Sequence, residues 1–207
     1  MIRINWLLPL CLLFLTGSGL GATEESAKPH GASESQGWTV EQVMAALDSV
    51  REPSVSFEEA TYSSLLSAPL VVRGLLRFTP PSRLEKEVLE PYRERYVVEG
   101  DIVTFESERK RVKKTISLED YPGLRGFVEA FRVSFTGDAG RLMQLYETAI
   151  EGTRLKWMLR LRPRDPAGRS MVADIVFSGS EGRISTIVIH MADGDQSVMT
   201  LHRGAAK

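Results

Sequence analysis

The sequence predicts an α+β fold in one domain: an incomplete, unclosed antiparallel β-barrel of roughly ten strands, covered by helices. Three observations lead there. Apolar and polar residues alternate with period two from Ser54 to Leu118 and again from Arg154 to Leu201, the signature of half-buried strands. The breaks between these runs are short, which makes neighbouring strands antiparallel. Helical periodicity occurs at 39–50 and 121–147. A sheet of that length must curl, and these helices are the pieces available to cover its apolar face.

Composition sets the outer bounds. The 207 residues are 43% hydrophobic and 26% charged, with 26 Lys plus Arg against 27 Asp plus Glu. That is ordinary globular composition, unlike a disordered chain or a multi-span membrane protein. Near-neutral charge offers no argument for a nucleic-acid partner. One Cys and three scattered His exclude an intramolecular disulfide and leave little room for a structural zinc site.

Residues 1–22 read as a cleavable secretory signal: Arg3 before an apolar stretch from Trp6 to Leu15, then Gly17, Ser18, Gly19, Gly21 and Ala22 as a small-residue exit. The apolar run is too short to span a bilayer and suits a signal core. Cys11 lies inside it, so the mature chain is expected to lack cysteine. Residues 23–37 (TEESAKPHGASESQG, with His30) contain no apolar anchor and read as a flexible linker. The domain is expected at 38–207.

The first helix runs from Thr39 to Val50. Val40, Val43, Met44, Leu47 and Val50 form one stripe, and Thr39 with Gln42 makes a capping box. Pro53 ends it. Leu70, Val72, Leu76 and Phe78 then alternate with Val71, Arg73, Leu75 and Arg77 until Pro80-Pro81 interrupts. Arg83–Leu89 gives the next strand, and Tyr92, Tyr96 and Val98 mark the one after. Glu99-Gly100-Asp101 is a tight turn, since glycine reaches positive φ without strain. Val103, Phe105, Val112, Ile116 and Leu118 continue the meander.

Tyr121–Glu147 reads as two helices. Leu124, Phe127, Val128, Phe131 and Phe135 share a stripe; Gly137 closes it, Asp138 caps the next helix, and Leu142, Leu145, Tyr146 and Ala149 make its face. Leu155, Trp157, Leu159 and Leu161 then alternate with Arg154, Lys156, Met158, Arg160 and Arg162. Met171, Ala173, Ile175 and Phe177 form another strand, followed by Ile184–Met191, a turn at Asp193-Gly194-Asp195, Ser197–Leu201 and a frayed end at Gly204–Lys207.

No catalytic constellation emerges. His190 and His202 lie in late strands without a nucleophile motif, phosphate loops and zinc motifs are absent from the sequence, and Asp193-Gly194-Asp195 lacks a calcium loop around it. The chain is expected not to be an enzyme and to need no metal or cofactor. The run Arg109, Lys110, Arg111, Lys113, Lys114 is either a solvated hairpin with cross-strand ion pairs or a docking patch for an acidic partner or lipid headgroup. An apolar concavity with a helical lid and no reactive group suits a carrier of greasy cargo.

The order of pieces resembles the LolA-like periplasmic carriers of outer-membrane lipoproteins, and more closely the LolA-related branch. The carrying segments are WTVEQVMAAL, PLVVRGLLRFTPPSRLEKEV, YVVEGDIVTFE, LEDYPGLRGFVEAFRVSFTGDAGRL, WMLRLRPRD and DGDQSVMTL. The resemblance implies a monomeric periplasmic protein that binds acyl chains of a lipoprotein or lipid. It would receive them from an inner-membrane transporter and pass them to an outer-membrane acceptor. It also implies an alternative, a carrier of a non-protein lipid-linked product such as a polyene pigment. A second reading, a non-transport envelope-assembly or interaction module on the same half-barrel, comes from the basic run together with the basic face Arg154, Lys156, Arg160 and Arg162. Candidates for the cavity lining or lid are Phe57, Leu76, Phe78, Tyr96, Phe105, Phe127, Phe131, Trp157, Leu159, Phe177 and Met199. Family members hold the lid with an Arg before the Pro that follows the glycine strand. Here Thr79 precedes Pro80, and Arg77 and Arg83 are the nearest candidates for a lid-polar or headgroup role. The lid itself is expected to be held by modest apolar area rather than a buried polar network.

Overall fold

The computed structural model describes residues 37–50, 53–80 and 82–202. The expected signal (1–22, with Cys11), nearly all of the linker (23–36, with His30) and the frayed end lie outside them. The described residues form one eleven-stranded antiparallel sheet with four helices.

Helix α1 (Val40–Ser49) opens with the capping box read from the sequence: the Gln42 amide donates to Thr39 Oγ1 at 3.3 Å, and the Thr39 amide donates to Gln42 Oε1 at 3.0 Å. The strands follow as β1 (Ser54–Tyr62), β2 (Leu70–Thr79), β3 (Arg83–Glu90), β4 (Glu94–Glu99), β5 (Ile102–Ser107) and β6 (Val112–Ser117). Helices α2 (Pro122–Thr136) and α3 (Ala139–Leu145) precede β7 (Tyr146–Thr153) and β8 (Lys156–Pro163). A short α4 (Pro166–Arg169) leads into β9 (Val172–Ser180), β10 (Arg183–Met191) and β11 (Gln196–His202). Gly137, at φ 74°, ends α2.

The order across the sheet is β6-β5-β4-β3-β2-β1-β11-β10-β9-β8-β7. This corrects the expectation of one continuous meander. Two meanders, β1–β6 and β7–β11, are joined where β1 pairs with β11, Glu59 opposite Met199 and Tyr62 opposite Gln196. β6 and β7, consecutive among the strands, become the two open edges, and the connection between them supplies α2 and α3 to the inner face.

Three local readings also change. Tyr146 and Ala149 belong to strand β7, not to the second helix; the β-branched Thr148, Ile150 and Thr153 in this segment favour a strand. Leu155 is 73% exposed in the β7–β8 turn rather than on the apolar face of the strand. In β9 the inward set is Val172, Ile175 and Phe177 instead of Met171 and Ala173, because the pairing with β10 shifts at His190/Met191. A bulge at Arg73/Gly74 bends β2 over β3 so closely that a Cβ on Gly74 would stand 1.8 Å from the Glu87 carbonyl oxygen, which only glycine permits.

The helices cover the sheet unevenly. α1 packs on β7 and β10, α3 on β7, and α4 on β8 and β9, while α2 packs on α1, α3 and α4. The β7–β9 strands are therefore well covered: Leu161, Ile175 and Val172 are fully buried, and the Trp157 indole donates to the Glu181 carbonyl at 3.0 Å. The β1–β5 half is left to α2 alone.

The outer face of β2–β4 carries an ion-pair ladder. Glu85 accepts from Arg77 at 3.0 Å and from Arg95 at 3.0 Å, with Arg83 at 3.5 Å. Arg77 also meets Glu87 at 2.8 Å, and Arg83 meets Glu99 at 2.6 Å. The Arg95 hydrogen bond, reinforced by the charges of Arg95, Arg77 and Arg83, holds the Glu85 carboxyl below its ordinary range. A depressed folded value contributes stability above the unfolded one and loses it as pH falls through the folded one. Glu85→Gln is thus expected to be less stable than the parent by about 1 kcal/mol at pH 7. The gap should close as pH drops below the ordinary glutamate value of about 4.3; urea titrations of both proteins at several pH values check this.

Candidate functional site

Inward-facing residues of β1–β5, β10 and β11 and one face of α2 enclose a cavity of about 110 Å³. Alternation along each strand selects them. Val55 and Glu59 come from β1, Leu76 and Phe78 from β2, Leu84 and Lys86 from β3, Tyr96 and Val98 from β4, Val103 from β5, Ile189 from β10 and Met199 from β11. The roof is Phe127, Val128, Phe131 and Phe135 of α2, spaced three and four apart so that they share one helical face. A second, neighbouring pocket of about 160 Å³ lies towards α1 and is lined by Leu47, Val50, Ile184 and Leu201 among others. Phe78 and Phe135 stand between the two pockets, stacked with ring centroids 5.1 Å apart.

Of the eleven candidates named from the sequence, Leu76, Phe78, Tyr96, Phe127, Phe131 and Met199 line the cavity. Phe57, Phe105, Trp157, Leu159 and Phe177 are instead buried core, each 2% exposed or less. Phe105 backs Tyr96 at 4.8 Å, and Phe177 meets Phe131 edge-on at 5.8 Å. These five face inward as their periodicity requires, but other side chains lie over them.

The cavity is not wholly apolar. Lys86 and Glu59, 7% and 3% exposed, form a close ion pair in its wall, and Ser197 donates to the other Glu59 oxygen at 2.7 Å. The Lys86 ammonium lies 5.3 Å from the Phe57 ring centroid. Deeper along β4, Glu94 accepts from the Tyr96 hydroxyl at 3.0 Å and from Ser107 at 3.2 Å, with the Lys110 ammonium 3.5 Å away. Burial, then the Glu94 charge, pushes the Tyr96 phenol far above its usual value, so it stays a neutral donor. The sequence reading missed these groups. Their signal is a charged residue in phase with apolar ones: Glu59 two after Phe57, Lys86 between Leu84 and Val88, Glu94 two before Tyr96.

Arg77 and Arg83 pair with Glu85 in the ladder; Arg77 also borders the cavity, and its polar partners are Glu85 and Glu87 rather than groups of α2. The arginine that ties α2 to the sheet is Arg132, on the helix itself. It is 11% exposed, pairs with Glu129 at 2.8 Å, and donates a close hydrogen bond to the Gly100 carbonyl in the β4–β5 turn. Arg125 approaches Asp101 of the same turn at 3.6 Å, and the Tyr146 hydroxyl donates to the Gly126 carbonyl at 2.8 Å. Aromatic contacts and these few polar links together hold α2 over the cavity.

The basic run is dispersed by the hairpin. Lys113 pairs with Glu106 at 2.7 Å, Lys110 turns in to Glu94, and the Arg109 guanidinium stacks on Tyr92 at 4.5 Å. Arg111 sits in the β5–β6 turn at φ 51°, and Lys114 stands opposite Phe105 on the edge strand. His190 hydrogen-bonds Asp174 at 2.7 Å, beside Arg160, and His202 borders the pocket near α1. Among the described residues no three His, Cys, Asp or Glu side chains group as a metal site would need, and no helix is long and apolar enough to cross a membrane.

Comparison with known proteins bears on this arrangement. The family model described as "Outer membrane lipoprotein carrier protein LolA-like" matches residues 32–207. The chain belongs to the LolA-like family. Solved structures similar to this LolA-like protein include a LolA superfamily protein from Nitrosomonas europaea, with 13% identity and TM-score 0.45, covering 80% of this chain and 92% of that one. A putative outer membrane lipoprotein-sorting protein domain from Vibrio parahaemolyticus has 11% identity and TM-score 0.43, covering 79% and 89%. The complex of MucA with MucB from Pseudomonas aeruginosa gives 12% identity and TM-score 0.40, covering 81% of this chain and 58% of that one. No curated protein matches.

Proposed function

We propose that this LolA-like protein carries a lipoprotein or lipid by holding an acyl chain between the β1–β5 sheet and α2. The observation that carries the reading is the apolar cavity roofed by the Phe127–Phe131–Phe135 face. Shape and apolar area suffice for such a ligand, since burying a methylene contributes about 0.8 kcal/mol. At about 110 Å³ the cavity as it stands holds only part of a chain. Lifting α2 and parting Phe78 from Phe135 would join it to the pocket of about 160 Å³ beyond. Residues 1–22 have the pattern of a cleaved secretory signal, so the carrier works in the periplasm as a single domain at 38–207. A donor in the inner membrane, an acceptor in the outer membrane and carriage without covalent chemistry belong to this reading, and the carrier description of the family supports them. Acyl chains are common to lipoproteins and free lipids, and the cavity recognises that shared part.

The test is titration of the purified protein with a fluorescent acyl probe. Saturable binding is expected, weakened at least tenfold by Leu76→Trp, which fills the cavity, with little change in thermal unfolding. Absence of saturable binding to the parent, or equal binding by Leu76→Trp and Val98→Trp, would overturn the reading.

A further inference from the structure

Six large hydrophobic side chains stand exposed among the described residues, and four of them belong to one hairpin: Tyr62 at 46%, Leu65 at 55%, Leu66 at 38% and Val71 at 38%. From Ala60 to Val72 the chain carries no charge at all, in a protein with 26% charged residues. The tip, Ser64–Pro69, is exposed throughout. Exposed apolar side chains clustered in this way mark a contact surface rather than a packing accident.

Strand direction decides what lies beside it. β1 ends and β2 begins at the same end of the sheet as the β3–β4 and β5–β6 turns. Four strand spacings separate the two outer hairpins, roughly 19 Å. The β5–β6 turn presents Arg109, Lys110 and Arg111, all exposed, and Arg93 stands exposed between the two hairpins. Acidic groups at this end are largely engaged: Glu90 meets Arg73 at 3.5 Å and Glu94 is buried against Lys110. Glu108 is exposed in the turn, and Asp193 and Asp195 occupy the β10–β11 turn on the far side of the apolar tip. One end of the molecule thus carries an uncharged apolar projection and, a hairpin away, a cluster of arginines.

We propose that this end docks on a lipid bilayer with anionic headgroups, Leu65 and Leu66 entering the acyl boundary while Arg93, Arg109 and Arg111 meet phosphates. The pairing of shallow apolar insertion with basic side chains at headgroup depth is what such a surface selects. Tyr62, with an apolar ring and polar tip, suits the interface between the two. The inference goes beyond carriage of an acyl chain and rests on none of the cavity residues.

The experiment is co-sedimentation with vesicles of phosphatidylethanolamine and phosphatidylglycerol (3:1), and with phosphatidylcholine vesicles. It uses protein recovered after export, with one N-terminus common to parent and variants. The parent is expected to bind the anionic vesicles, and less tightly the neutral ones, with binding falling as salt rises. Leu65→Glu/Leu66→Glu should lose at least tenfold on both. Arg109→Glu/Arg111→Glu should lose only the preference for anionic vesicles. All these positions are exposed, so thermal unfolding and acyl-probe affinity should be unchanged, which separates failure here from failure of the carrier reading. A parent that binds neither vesicle would assign the tip to a protein partner and overturn the proposal. So would a leucine variant that binds as the parent does, or an arginine variant that keeps the anionic preference.

Discussion

Lys86→Met is expected to destabilise the protein by about 3–5 kcal/mol, the cost of leaving one member of a buried ion pair without the other. Lys86 and Glu59 sit in the wall of an otherwise apolar cavity, 7% and 3% exposed. In the variant the Glu59 carboxylate keeps, among the described residues, the Ser197 hydroxyl as its hydrogen-bond donor. The double variant Lys86→Met/Glu59→Leu should recover most of the loss, because two apolar side chains of similar volume replace the pair without a stranded charge. Denaturant unfolding of the parent, both single variants and the double variant forms a complete cycle. A single-variant cost under about 1 kcal/mol would mean that water reaches the pair and that this wall of the cavity is open. The pair adds little net stability by this argument, so its effect on probe affinity in the double variant shows whether it serves the ligand instead.

Phe131→Glu places a carboxylate where the ring now meets Phe127 at 5.0 Å and Phe177 at 5.8 Å. In a closed lid that costs several kcal/mol, and the helix has an alternative to bearing it. α2 is bounded by Pro122 and Gly137 and covers the cavity chiefly through its aromatic face. The expected product is a folded protein with α2 displaced and acyl-probe binding weakened at least tenfold. Thermal unfolding and probe titration together decide it. Outright unfolding would place Phe131 in the core with Phe177; unchanged binding would remove α2 from the cargo path. The Arg132–Gly100 link still tethers the helix to the β4–β5 turn at the very next residue, so displacement should be local rather than a loss of the helix.

Much of the architecture is local and therefore legible. The Thr39–Gln42 capping box, the αL glycine at Gly137 and the period-two alternation of β2 and β8 each depend on residues a few positions apart, and the ordered set of segments leads to the LolA-like family. Alternation also states correctly that Phe57, Phe105, Trp157, Leu159 and Phe177 face inward. It is silent on what stands over an inward face. That depends on where α1, α3 and α4 land, and they cover β7–β9 while leaving β1–β5 to α2. Hence the same pattern produces core in one half and cavity wall in the other. The β1–β11 pairing joins strands some 140 residues apart, and Glu59 finds Lys86 and Ser197 only once the four strands β3-β2-β1-β11 have been set side by side. The arginine that ties α2 to the sheet differs from the expected ones for the same reason. Arg77 and Arg83 fall on the outward phase of their strands, while Arg132, on the helix, meets the Gly100 carbonyl because the sheet curls beneath it. The sequence by itself determines which face each side chain takes and where each element starts and stops, because those follow from short-range periodicity and capping. Only the tertiary structure decides which inward residues border empty space, because a cavity is a property of elements that fail to meet.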